Sequence, residues 1–188
     1  NHDQPRFISL AGGALAFDES PIEAGFERDI GVGDEIGYDR LRMLNAFLFS
    51  IPGIPVIFYG DEIGLPGAGD PDCRRMMRFE DLNDQERRTL EIMRKITGLR
   101  RDRLSLTYGD TEVLYQSEEQ LVLARYYFDE VTIVAFNKSR EPAVVRFDLP
   151  ARFSEAKLES LLGPEPMQEG TRIEVQLPGW QFGFYGSD

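Results

Sequence analysis

The chain has 188 residues, 41% of them hydrophobic, and a formal net charge of −12 from 33 acidic and 21 basic side chains. That hydrophobic share supports a packed core, in one ordinary domain or two small ones, and argues against a disordered chain. The acidic balance disfavours nucleic acids and polyanionic substrates but not neutral sugars, and no apolar run approaches the roughly 20 residues of a membrane span. The single cysteine, Cys73, excludes an internal disulfide, and the single histidine, His2, excludes a zinc site of His and Cys alone. Cys73 reads as a buried small side chain. The chain reads as soluble, with its compartment open and with its native N-terminus and any signal peptide absent.

Residues 9–37 are rich in Gly, Asp and Glu and read as a long loop with a short helix near 22–26. Leu41, Leu44 and Leu48 fall at helical spacing, Phe47 widens the stripe, and Pro52-Gly53 ends a helix over 38–50. The consecutive apolar residues Val56, Ile57 and Phe58 predict a strand over 55–59, of the kind that is covered on both faces in a parallel sheet. Four glycines, Gly60, Gly64, Gly67 and Gly69, then punctuate a loop to Arg74. Asn83 with Glu86 forms a capping signal for a helix running to about 99, with Ile92, Met93, Ile96 and Leu99 toward the core. The basic runs Arg87-Arg88 and Arg100-Arg101-Asp102-Arg103 read as a solvated face.

From Thr107 the period changes to two. Seven strand candidates follow, at 113–115, 121–127, 131–136, 143–147, 157–161, 171–175 and 180–185, and short strands without helices suggest an antiparallel β-sandwich. Trp180, Phe182 and Phe184 alternate as core residues do, with a starch-binding platform as the minor reading. Asn137-Lys138-Ser139 reads as a turn although it also matches a glycosylation triplet. The fold class is therefore α/β plus all-β, divided at 1–106 and 107–188. The glycine-rich stretches fit neither a phosphate loop nor a dinucleotide fingerprint.

Two blocks carry candidate chemistry. Asn1-His2-Asp3 offers an amide, an imidazole and a carboxylate within three residues, a set that suits the vicinal hydroxyls of a sugar. In isolation His2 and Asp3 can equally satisfy each other in a turn. Asp70 and Arg74 supply acceptors and a rigid fork of donors, which suits hydroxyl-rich ligands or a loop-locking ion pair, two compatible roles. Asp61 and Glu62 are adjacent, so on a strand they point to opposite sides and read as supports rather than a catalytic pair. Tyr59 fits either a site wall or the core.

Residues 53–77, GIPVIFYGDEIGLPGAGDPDCRRMM, closely resemble the segment with the last barrel strand and following loop of the α-amylase family of glycoside hydrolases. Asn1-His2-Asp3 resembles the end of an earlier strand of the same barrel, and the order and separation of the two blocks fit the family. The resemblance implies the C-terminal portion of a (β/α)8 TIM barrel followed by the β-sandwich. It implies that Asp3 stabilises the oxocarbenium-like transition state, that His2 bonds the same sugar, and that Asp70 and Arg74 bind a further glucose unit. The parent activity it implies is retaining hydrolysis of α-glucosidic bonds in starch or malto-oligosaccharides. The alternatives are an α-glucosidase or transglycosidase of the same family, or a non-catalytic barrel-containing accessory protein. Retaining enzymes need a nucleophile and a general acid about 5–5.5 Å apart. In the family these lie upstream of the first block, so this chain alone is expected to be inactive and to need the missing N-terminal part of the same enzyme. No metal or other cofactor is expected in the chain, calcium being an option for the parent only.

Overall fold

The computed structural model describes residues 3–187. In chain order the elements are α1 (Phe7–Ala11), α2 (Pro21–Glu27), α3 (Ile36–Ser50), α4 (Asp84–Asp102), α5 (Leu104–Tyr108), β1 (Asp110–Gln116), β2 (Gln120–Tyr127), β3 (Glu130–Asn137), β4 (Ala143–Asp148), β5 (Glu159–Leu162), β6 (Met167–Glu169), β7 (Arg172–Leu177) and β8 (Gln181–Gly186). The chain divides into two compact units, one of residues 1–45 with 55–94 and the other of residues 46–54 with 95–188.

In the first unit, short helices punctuate long loops. Helix α2 begins at Ser20, whose hydroxyl accepts from the Glu23 amide, with Pro21 at its first position, where a missing N–H costs no intrahelical bond. Leu15, Ala24, Ile30 and Ala68 bury one small apolar cluster, and Ile8, Tyr38 and Leu41 a second. Helix α4 opens with the predicted capping box: the Glu86 amide donates to Asn83 Oδ1 at 2.9 Å and the Asn83 amide to Glu86 Oε2 at 2.8 Å. The buried Arg42 guanidinium ties α3 to the start of α4, donating to Asp39 at 2.6 Å, Thr89 at 3.0 Å and Gln85 at 3.2 Å.

Residues 55–59 form no strand, contrary to the sequence reading. A parallel strand exists only where neighbouring strands take up its backbone N–H and C=O groups. Among the described residues none pairs with this segment, and Val56 is 79% exposed.

The second unit carries two antiparallel sheets, ordered β1-β2-β3-β8-β5 and β4-β7-β6. Their shared core holds Val122, Ile133, Val145, Phe147, Ile173 and Val175. Alternation sends Tyr185 into that core, while Phe182 and Phe184 bury on the other face, where Phe182 meets Phe136 and Phe136 meets Phe47. Phe182 and Phe184 are thus packing residues, as their spacing predicts, whereas Trp180 precedes β8 and is only partly buried.

The basic run at 100–103 departs from the expected solvated face, since Arg100 and Arg103 are buried. Arg100 donates to the carbonyls of Phe49, Ile51 and Gly53, and Arg125 to those of Ser50 and Gly109. Together they satisfy carbonyls that the end of α3 cannot satisfy internally. Arg103 donates to Thr132 Oγ1 and to the carbonyls of Val131 and Ser187. A periodic pattern counts charges but does not see bare carbonyls waiting for donors. Among the described residues all strand pairings are antiparallel, and no helix is long and apolar enough to cross a membrane.

Candidate functional site

The site lies in the first unit, where the loop of residues 60–75 meets the start of the chain. Gly60 opens a tight turn in which its carbonyl accepts from the amides of Ile63 and Leu65, both side chains being buried anchors. Downstream, Ala68 and Cys73 are fully buried, and the Asp70–Pro71 peptide is cis. A single 3-10 turn, Asp72–Arg74, then presents Arg74 beside Asp70.

Arg6 organises this loop. Its guanidinium is buried and donates to the carbonyls of Cys73 at 2.8 Å and Tyr59 at 2.7 Å, and to Asp61 at 3.1 Å. The same group lies 4.0 Å from the Phe58 ring centroid and 4.9 Å from that of Tyr59. A buried cation without partners would be prohibitively costly, so the three segments are held to it. Burial pushes the Asp61 carboxyl above its ordinary value, with the charge and hydrogen bond of Arg6 opposing. Sequence reading passed over Arg6. The available signal was an arginine set between Pro5 and Phe7 at the start of α1.

With Arg6 fixing both ends, residues 71 positions apart converge. The Arg74 guanidinium donates to Asp3 Oδ1 at 3.2 Å and pairs with Asp70 Oδ2 at 3.0 Å. All three side chains remain about half exposed, so these pairs orient groups more than they stabilise the fold. Carboxylates accept hydrogen bonds from hydroxyls, and a guanidinium is a planar donor fork. His2 lies outside the described residues. Tyr59 is partly exposed and its hydroxyl donates to the Arg75 carbonyl, so it braces the same loop.

Arg75 points elsewhere. It clamps Asp72 with two hydrogen bonds of 2.8 Å and reaches Asp29 at 3.1 Å. Burial pushes the Asp72 carboxyl up, but the bonds from Arg75 and from the Ala68 amide outweigh it and hold the group below its ordinary range. Among the described residues no group of three or more His, Cys, Asp or Glu side chains could hold a metal ion.

No protein-family model matches the chain. A cyclomaltodextrinase from Thermoanaerobacter pseudethanolicus is 31% identical over 145 residues, covering 77% of this chain and 21% of that protein. A cyclomaltodextrinase from Geobacillus thermopakistaniensis is 27% identical over 187 residues, 98% of this chain and 28% of that protein. The crystal structure of an α-amylase from Geobacillus thermoleovorans, complexed with acarbose, superposes over the whole chain with a TM-score of 0.77 at 29% identity. This chain is related to the C-terminal part of α-amylase-family glycoside hydrolases. It spans between a fifth and two fifths of the length of these three proteins.

Proposed function

We propose that the chain contributes part of the sugar-binding cleft of a retaining α-glucan hydrolase acting on starch or malto-oligosaccharides. The observation that carries this reading is the convergence of Asp3 and Asp70 on the one Arg74 guanidinium. In it, Asp3 stabilises positive charge that develops on the cleaved sugar, His2 bonds the same sugar, and Asp70 and Arg74 hold the adjoining glucose unit. The exposed apolar residues 55–59 are then a barrel strand whose neighbours come from the remainder of the same enzyme, and residues up to 106 close the barrel. Asp3 and Asp70 both serve Arg74, which leaves the reaction's nucleophile and general acid to that remainder, so the chain alone binds sugar without cleaving it. It carries no cofactor, and any calcium of the whole enzyme draws its ligands from elsewhere.

The test is Asp3→Asn in the whole enzyme. Loss of an electrostatic stabiliser of this kind lowers kcat by about 100- to 1,000-fold, with malto-oligosaccharide binding largely retained. Wild-type turnover in that variant refutes the role of Asp3.

A further inference from the structure

Beside Arg74, and sharing it as a wall, lies a second concavity of about 250 Å³ lined by Ile22, Phe26, Pro71, Asp72 and Arg75. This is just under the roughly 300–1,000 Å³ of sites for drug-sized ligands, and leaves room for one six-membered ring. Its floor depends on close approach of α2 to the loop of residues 68–72. A Cβ on Gly25 would stand 2.9 Å from that of Ala68, and one on Gly69 would stand 2.9 Å from Ile22 Cγ1. The Gly69 amide donates to the Pro21 carbonyl at 3.1 Å and fixes the same contact. On this floor Phe26 stands 76% exposed. Along the polar side Arg75 is neutralised by Asp72, with the exposed Asp29 as a second carboxylate on the same guanidinium, which leaves it no excess positive charge to draw an anion.

An exposed aromatic face beside a preorganised, neutralised donor–acceptor pair suits a neutral polyol ring. The slightly positive C–H edge of such a ring packs on the negative face of the arene, and its hydroxyls exchange bonds with the guanidinium and carboxylate. Continuity through Arg74 defines the ligand further. We propose that this concavity is an additional subsite for one glucosyl unit of a longer α-glucan, with Phe26 as its platform, extending the chain held at Asp70 and Arg74. This inference rests on the sugar-binding reading of Arg74 given above.

Saturation-transfer NMR titrations of the 188-residue chain with maltotriose and with maltohexaose separate the two readings. Wild type is expected to bind the hexasaccharide about fivefold more tightly than the trisaccharide. Phe26→Ala removes that gain and leaves maltotriose affinity unchanged, and Phe26→Tyr keeps it. Because Phe26 is exposed, the amide spectrum of Phe26→Ala should overlay on wild type outside α2. Arg74→Ala weakens both sugars. A chain-length gain that survives Phe26→Ala overturns the subsite while the Arg74 reading stands. A wild-type chain that binds neither sugar overturns both.

Discussion

Strand β3 and residues 55–59 are similarly apolar, yet they end in opposite states. β3 bonds to β2 on one edge and β8 on the other, and every residue from Val131 to Asn137 is buried. Residues 55–59 have no ladder partner among the described residues, and Val56 faces solvent. The second unit is thus held by backbone ladders around a shared core. The loop of the first unit is held by side chains that reach backbone carbonyls, with Arg6 at the centre. Apolar sequence makes a strand only where another backbone answers it, and where none does, single charged residues carry the order.

That contrast can be broken, and the largest expected effect is at Arg6. Arg6→Ala leaves Asp61 half-buried without its cation and costs about 3 kcal/mol, with hydrogen exchange accelerated at the amides of residues 58–75 and not in β2, β3 or β8. Uniform acceleration in both units would show that the loop does not depend on Arg6. A smaller effect follows at Asp72. Its folded value is depressed, so its stabilisation is present above the ordinary 3.8 and is lost as pH falls through the lowered folded value. Asp72→Asn therefore lowers stability at pH 7 by about 1.5 kcal/mol, and thermal melts of variant and wild type converge in acid. A difference that persists at low pH would mean that the Arg75 clamp acts by shape rather than charge. The smallest effect is at Val56, where Val56→Thr shifts stability of this chain by no more than about 0.5 kcal/mol, although Ile133→Ala in β3 costs about 3 kcal/mol. Comparable losses at the two positions would place Val56 in a core.

Much of this was legible in the sequence because local signals agree with the tertiary result. Asn83 and Glu86 cap α4 by their own spacing, and Leu41 lies on the buried stripe of α3. Period-two alternation locates seven of the eight strands found among the described residues. The eighth, β6, spans only Met167–Glu169, too short for alternation to register, and α5 is a five-residue helix flanked by arginine and glycine. Residues 55–59 misled for the opposite reason, since their apolar run is a strand signal that no ladder partner among the described residues answers. At the site, the residue types of Asp3, Asp70 and Arg74 suggested sugar chemistry, whereas Arg6 escaped notice because its role depends on carbonyls 53 and 67 positions away.

The arginine bonds at the end of α3 bear on how the β-rich portion is to be excised. Phe47 and the carbonyls of Phe49, Ser50, Ile51 and Gly53 are tied to residues from α4 and the large sheet, although they lie more than forty residues upstream of that sheet. A recombinant sandwich that starts at residue 107 would discard Arg100, Arg103 and the whole 46–54 stretch, stripping the Phe136–Phe182 face and taking the Ser50 carbonyl from the Arg125 fork. A faithful isolated module has to be stitched from two separate stretches of polypeptide rather than cut at one point.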